Sequence, residues 1–153
     1  MKLTSSQFKE GGIIPSKHTC EGAGVSPPLD ISGVSEHAKS LVLIMDDPDV
    51  PKSLRSDGMF DHWVVFNIPV STTHIAEGKN PPGVLGKNTA GANRYIGPCP
   101  PDREHRYFFK LYALDRQLDL KEEAKKDEVE RAMEGHILQQ THLMGLYEKN
   151  RGY

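Results

Sequence analysis

The strongest apolar stretch of the chain, Leu41 to Met45, lies inside "SLVLIMDD", Ser40 to Asp47. Its length suits a strand, and both faces are apolar: Leu41, Leu43 and Met45 on one, Val42 and Ile44 on the other. Such a strand is expected to be central and covered on both sides. "HWVVFNI", His62 to Ile68, reads as a second strand stopped by Pro69. His105 to Leu114 reads as a third, with His105, Tyr107, Phe109 and Leu111 sharing a face by the two-residue period. Val129, Ala132, Met133, His136 and Ile137 recur at helical spacing instead. Asp127 is the expected N-cap, Glu128 and Glu130 suit a first turn, and Gly135 is expected to end the helix there or shortly after. "QQTHLMGLYEK" then reads as a last strand.

Between these elements the pattern lapses. Residues 1–39 are loop-rich, 48–61 form a loop bearing Pro and Gly, and 71–94 form a long surface excursion of the kind often used for function. Strands dominate. The pattern predicts a mainly β chain: a two-sheet antiparallel β-sandwich with one or two short helices late, in one domain over residues 1–153.

Composition adds bounds. Apolar residues make up 37%, and Gly 14 with Pro 11 favours many turns and short strands. Lys+Arg 19 against Asp+Glu 21 leaves −2, with no basic stripe, which disfavours nucleic acid or an acidic membrane as main partner. The start, "MKLTSSQFKEGG", has no apolar signal-peptide core, and no run is long enough to span a bilayer, so a cytoplasmic protein without integral membrane contact is expected. There are two cysteines and no CxxC. Cys20 and Cys99 both sit in Gly/Pro-rich loops, "HTCEG" and "GPCPP". A reducing compartment favours free thiols; if the loops meet, a bridge closing about 80 residues adds roughly 4 kcal/mol.

The candidate chemistry lies at strand ends. Asp47 ends one strand, His62 begins the next, and His105 begins a third with Tyr107 two residues on. If the first two run antiparallel, the loop from Pro48 to Asp61 returns His62 to the rim that carries Asp47. A carboxylate beside an imidazole favours the imidazolium and fixes its tautomer. Imidazolium and phenol both donate to phosphoryl or carboxylate oxygens, and charge-assisted bonds are about twice as strong as neutral ones. Just upstream of His105, "PCPP" (Pro98 to Pro101) supplies a stiff, apolar wall. The competing structural reading is that strand-end histidines only pack or cap, that Asp47 in "DDPDVP" merely starts a turn, and that Tyr107 and Trp63 are core. His18, His37, His74, His136 and His142 carry less weight still.

Other chemistries leave weaker marks. "GVSPP" has Pro28 where a nucleophile elbow needs glycine, and there is no HExxH, GxxxxGK[ST] or well-placed GxGxxG. Zinc on His62, His105 and Asp47 is chemically feasible, but no spacing singles it out, and neither metal nor cofactor is expected.

"SPPL" (Ser26 to Leu29), "DDPDVP" (Asp46 to Pro51), "HWVVFNIP" (His62 to Pro69), "YIGPCPP" (Tyr95 to Pro101) and "HRYFFKLYALD" (His105 to Asp115) occur in that order. Together with "AMEGHIL" (Ala132 to Leu138) they resemble the phosphatidylethanolamine-binding protein family, also called Raf kinase inhibitor protein-like, in its short prokaryotic branch. The resemblance implies a β-sandwich with a small preformed anion pocket. It places Asp47, His62, His105, Tyr107 and Pro101 in that pocket and makes Asp49 and Cys99 near-neighbours. Val50 stands where the family usually has alanine, and the loop from Pro101 to His105 is short. The expected function is a non-catalytic hold on a small anionic or phosphorylated ligand, in which His62 and His105 donate to the anion. A regulatory protein partner and a homodimer are further expectations. The alternatives are a small hydrolase or lyase with His62 as general base, and a protease- or kinase-inhibitor-like interaction protein working through loops such as 71–94.

Overall fold

The computed structural model describes residues 1–149. Along the chain run β1 (Lys2–Thr4), β2 (Gly12–Ile13), a single 3-10 turn (Ser16–His18), β3 (Leu29–Ser32), β4 (Ser40–Asp47), β5 (Phe60–Ile68), β6 (His74–Ile75), β7 (Val84–Leu85), β8 (His105–Leu114), α1 (Lys126–Met133) and β9 (Ile137–Tyr147). A three-stranded sheet, ordered β1-β3-β6, faces a six-stranded sheet, ordered β2-β9-β8-β4-β5-β7. All pairings are antiparallel except that of β2 with β9.

The double-faced strand β4 lies in the middle of the larger sheet, as its pattern requires. Leu41, Leu43 and Met45 join Trp63, Val65, Tyr107, Phe109 and Leu111 in the core between the sheets. Val42 and Ile44 pack on the other face with Val64, Phe66, Leu118, Val129 and Met133. Cover on that second face therefore comes from α1 and the chain before it, where the sequence suggested a second sheet. Asn67 pins this cover: its side chain accepts from the Leu118 amide and donates to the Leu118 carbonyl, each at 2.8 Å. Fully buried aliphatic and aromatic side chains stabilise by roughly 1.5–3 kcal/mol each, so both faces of β4 contribute to holding its ends in place.

Two local expectations shift. The N-cap is Lys125, whose amide donates to Glu128 Oε1 at 3.3 Å, and Asp127 lies inside the first turn. There its carboxylate accepts from the Glu128 amide and still opposes the positive end of the helix. The helix stops at Met133, just before Gly135, whose φ of +79° is left-handed. The long region 71–94 carries two short strands, β6 and β7. Among the described residues no helix is long and apolar enough to cross a membrane.

The loops of Cys20 and Cys99 do meet, and the pair forms a disulfide, correcting the expectation of free thiols. The surrounding backbone explains why. The Cys20 amide donates to the Pro98 carbonyl at 3.1 Å, and Tyr95 Oη donates to the His18 carbonyl at 2.8 Å. A Cβ on Gly97 would lie 2.4 Å from the His18 carbonyl oxygen, so only glycine permits this approach. Residues 95–99 are thus stitched to residues 18–20 by four kinds of contact.

Candidate functional site

Antiparallel pairing sets the site's geometry. Met45 is opposite Trp63 on β5 and opposite Phe109 on β8, so the end of β4 and the starts of β5 and β8 share one edge of the sheet. Asp47, His62, His105 and Tyr107 all line one cavity of about 440 Å³ there. Its walls are Ile96, Gly97, Cys99, Pro100 and Pro101 on one side and Val50, Leu54, Arg55 and Phe60 on the other. Four side chains separated by as much as sixty positions in sequence therefore converge beside the Pro-rich segment, whose peptide bonds, like all those described, are trans.

The polar atoms are not equivalent. His105 is fully buried and bridges two carboxylates: Nδ1 is 2.6 Å from Asp47 Oδ2, and Nε2 is 2.7 Å from Asp102 Oδ1. Carboxylates only accept, so the Asp47–His105–Asp102 chain holds one proton more than a neutral ring supplies. Burial raises the pKa of Asp47 against the opposing pull of its His105 bond. The His105 hydrogen bond lowers that of Asp102. Asp47 Oδ1 accepts from the Asp49 amide at 2.8 Å, which closes the turn after β4.

His62 is different. Its Nδ1 lies 2.7 Å from the Ile96 carbonyl oxygen and must donate to it. Burial lowers its pKa to about 4, with the Ile96 bond only partly opposing. The ring is neutral at pH 7, and Nε2 is left as an acceptor. The donor role expected of His62 does not fit this polarity. Tyr107 is completely buried, and burial followed by the Asp47 charge holds its phenol proton firmly. Its Oη makes no hydrogen bond of normal length, with the Asp47 carboxylate the polar group that acts on it. A buried hydroxyl left unpaired costs about 1–3 kcal/mol, and a ligand acceptor can recover that.

The expected neighbours divide. Cys99 lines the cavity, but its sulfur is committed to Cys20. Asp49 turns away from the cavity and grips Arg106: Oδ2 accepts from the backbone amide at 2.8 Å and from Nε at 2.9 Å, and Oδ1 from Nη2 at 2.8 Å. Arg106 holds the Asp49 carboxyl below the usual range. Four participants were not singled out in the sequence. Asp102, in "PPDREH", stands three residues before His105, a separation that marks nothing in a loop. Arg55, Leu54 and Phe60 come from the loop after β4 and the start of β5; Phe60 packs on His62 with ring centroids 4.8 Å apart.

Comparison with known proteins agrees with this architecture. The profile of the family described as "Phosphatidylethanolamine-binding protein" matches residues 4–148. A UPF0098 protein of Chlamydia pneumoniae is 51% identical over 150 residues, covering 98% of this chain and all of that one. The crystal structure of CT736, a phosphatidylethanolamine-binding protein homolog from Chlamydia trachomatis, superposes with a TM-score of 0.94 at 50% identity, covering 97% of each chain. That of E. coli YbcL, described as a member of the mammalian family, gives 0.86 at 30% identity, covering 96% of this chain and 97% of YbcL. With the strand order, the motifs and the matched length all in accord, the chain belongs to the phosphatidylethanolamine-binding protein family.

Proposed function

We propose that the chain is a binding protein for a small oxyanion, in particular a phosphoryl group, held in the cavity at the edge of β4, β5 and β8. Family membership alone does not assign a ligand; the observation that carries the reading is Tyr107, a cavity-lining residue whose buried Oη makes no hydrogen bond of normal length and has the Asp47 carboxylate as its nearby polar group. A tetrahedral oxyanion gives that hydroxyl an acceptor, and Arg55, a lining residue whose Nε donates to the Met59 carbonyl beside Asp57, brings a positive charge to the rim. His105, tied to Asp47, fixes the floor. Apolar walls from Val50, Phe60, Pro100 and Pro101 lower the local dielectric and strengthen each polar contact made inside.

The reading is non-catalytic. Among the described residues lining the cavity there is no serine or threonine, and Cys99 is in a disulfide, so the His62 Nε2 acceptor has no serine, threonine or thiol to activate. The proposal extends to a protein partner through the cavity rim. Leu54 there is 64% exposed, the most exposed large apolar side chain among the described residues. A ligand seated beside it would couple occupancy to docking.

Calorimetric titration of inorganic phosphate into wild type and Tyr107→Phe tests the binding reading. Wild type is expected to bind saturably, and the variant about tenfold more weakly while melting no lower than wild type, since the change also removes an unpaired buried hydroxyl. Equal affinities would remove Tyr107 from the ligand site.

A further inference from the structure

Given an oxyanion in this cavity, the hydrogen-bond polarity of its walls determines which form of the oxyanion fits. The Ile96 carbonyl fixes the proton of His62 on Nδ1. The charged and titratable groups around the ring are Asp46 and Asp47 on β4, His105 and Tyr107 on β8 and Arg55 in the loop. None of them hydrogen-bonds it, and among the described residues no donor reaches Nε2. The Ile96 bond and the Asp46 charge offset the burial only in part, so the ring stays neutral, and Nε2 presents a lone pair to the cavity. Tyr107 presents the opposite polarity, an O–H that makes no hydrogen bond of normal length, with only the Asp47 carboxylate acting on it. The two rings meet edge to face with centroids 5.4 Å apart. Both nitrogens of His105 are already taken by carboxylates.

We infer that the cavity selects an oxyanion that still carries a proton, a phosphomonoester or hydrogen phosphate, over sulfate and over phosphodiesters; this deepens the oxyanion reading above and rests on it. The acid P–O–H donates to His62 Nε2, and a second phosphoryl oxygen accepts from Tyr107 Oη. Sulfate and a phosphodiester are fully ionised near neutral pH and have only acceptors to set against the Nε2 lone pair. To bind them the ring must take up a proton that burial resists. Phosphate chemistry has two natural sources, a free monoester and a lipid headgroup, and the polarity of His62 favours the first because a phospholipid headgroup is a diester.

The test is isothermal titration of the full chain at pH 6, near the second pKa of a phosphomonoester, with matched probes. Inorganic phosphate is compared with sulfate, and phosphoethanolamine with glycerophosphoethanolamine, which keeps the ammonium group but lacks the P–OH. Each protonated probe is expected to bind at least tenfold more tightly than its counterpart. His62→Gln, whose amide can donate as well as accept, is expected to bring sulfate within threefold of phosphate. Nitrogen-15 spectra of wild type provide a readout that does not depend on the variant folding: in the phosphate complex His62 keeps one protonated and one unprotonated ring nitrogen. Sulfate and the diester binding within threefold of their partners, or a doubly protonated His62 in the phosphate complex, would overturn the selectivity while leaving the oxyanion reading in place. Absence of binding by all four probes would overturn both.

Discussion

Asp46 and Asp47 are consecutive on β4, nearly fully buried, and on opposite faces of the same sheet. On its face, Asp46 Oδ2 takes Lys110 Nζ at 2.9 Å and Lys126 Nζ at 3.2 Å, and Lys126 also reaches Asp61 at 2.9 Å. Burial alone would lower the pKa of Lys126, yet the two carboxylates raise it. That cluster fastens α1 to the sheet. On the other face, Asp47 meets an imidazole, and its neighbours Tyr107 and His62 line a cavity, the Tyr107 Oη without a hydrogen bond of normal length. The register shift between Met45 and Asp46 in the pairing of β4 with β5 lies where the two faces diverge in role. Adjacent carboxylates thus differ by the kind of partner: lysines that ion-pair with Asp46 Oδ2 while its Oδ1 stays without a hydrogen bond, against titratable rings that line a cavity. A buried acid marks a binding site when titratable neighbours line a cavity beside it, and a structural clamp when cations close around it.

Breaking the stitched wall is expected to have the largest effect. Reducing the Cys20–Cys99 disulfide, which closes a loop with a sequence separation of 79, should lower stability by about 4 kcal/mol. Calorimetry with and without reductant reads this, and phosphate affinity should fall with it because Cys99 carries the cavity wall. Affinity unchanged on reduction would mean that the Tyr95–His18 and Cys20–Pro98 hydrogen bonds hold the wall unaided.

Next comes the pair of acids themselves. Asp46→Ala leaves two lysines facing a buried gap and should cost about 3 kcal/mol in denaturant unfolding, with phosphate affinity of the folded protein within about twofold of wild type. Asp47→Asn preserves shape and should cost about 1 kcal/mol in stability but reduce phosphate affinity at least tenfold. Equal stability and affinity losses in the two variants would erase the distinction between clamp and site.

The effect that is smallest per step, read one pH unit at a time, sharpens the comparison through pH. His62 has an ordinary pKa of 6.5 when unfolded and about 4 when folded. Between those values the unfolded chain binds a proton that the fold refuses, so stability falls as pH falls through that window, at most by about 1.4 kcal/mol per unit. His18, also lowered by burial, acts in the same direction. Asp47 and Asp61, both raised by burial, act oppositely, since their contribution is lost as pH rises through the folded values. The difference between wild type and His62→Gln isolates the His62 slope; a difference independent of pH from 4 to 6.5 would show that the ring is not held neutral.

Much of this was legible because it is periodic or local. Ser40–Asp47 occupies the span that its continuous apolar run marks and His105–Leu114 the span that its two-residue period marks, and Gly135 ends the helix where its freedom is needed. Asp47, His62, His105 and Tyr107 could be selected because strand ends collect polar residues at one sheet edge, Pro101 because the Pro-rich run beside His105 and the family resemblance pointed to a wall, and the structure brings all five to one cavity. What was hidden depends on contacts between distant loops, which leave no period. The Ile96 carbonyl reverses the expected polarity of His62, Arg106 draws Asp49 aside, and Asp102 caps His105 from a loop without pattern. The disulfide belongs with these: both cysteines were visible, but the meeting of their loops rests on Gly97 and on the hydroxyl of Tyr95.

The central claim is that the edge shared by β4, β5 and β8 holds a phosphoryl ligand. Phosphorus and proton NMR during titration with inorganic phosphate tests it most directly. The account predicts saturable movement of the His62 and His105 ring resonances together with broadening of the phosphorus signal, while Lys110 and Lys126 remain still. Saturation that moves the lysine cluster and leaves both histidines unchanged would contradict it.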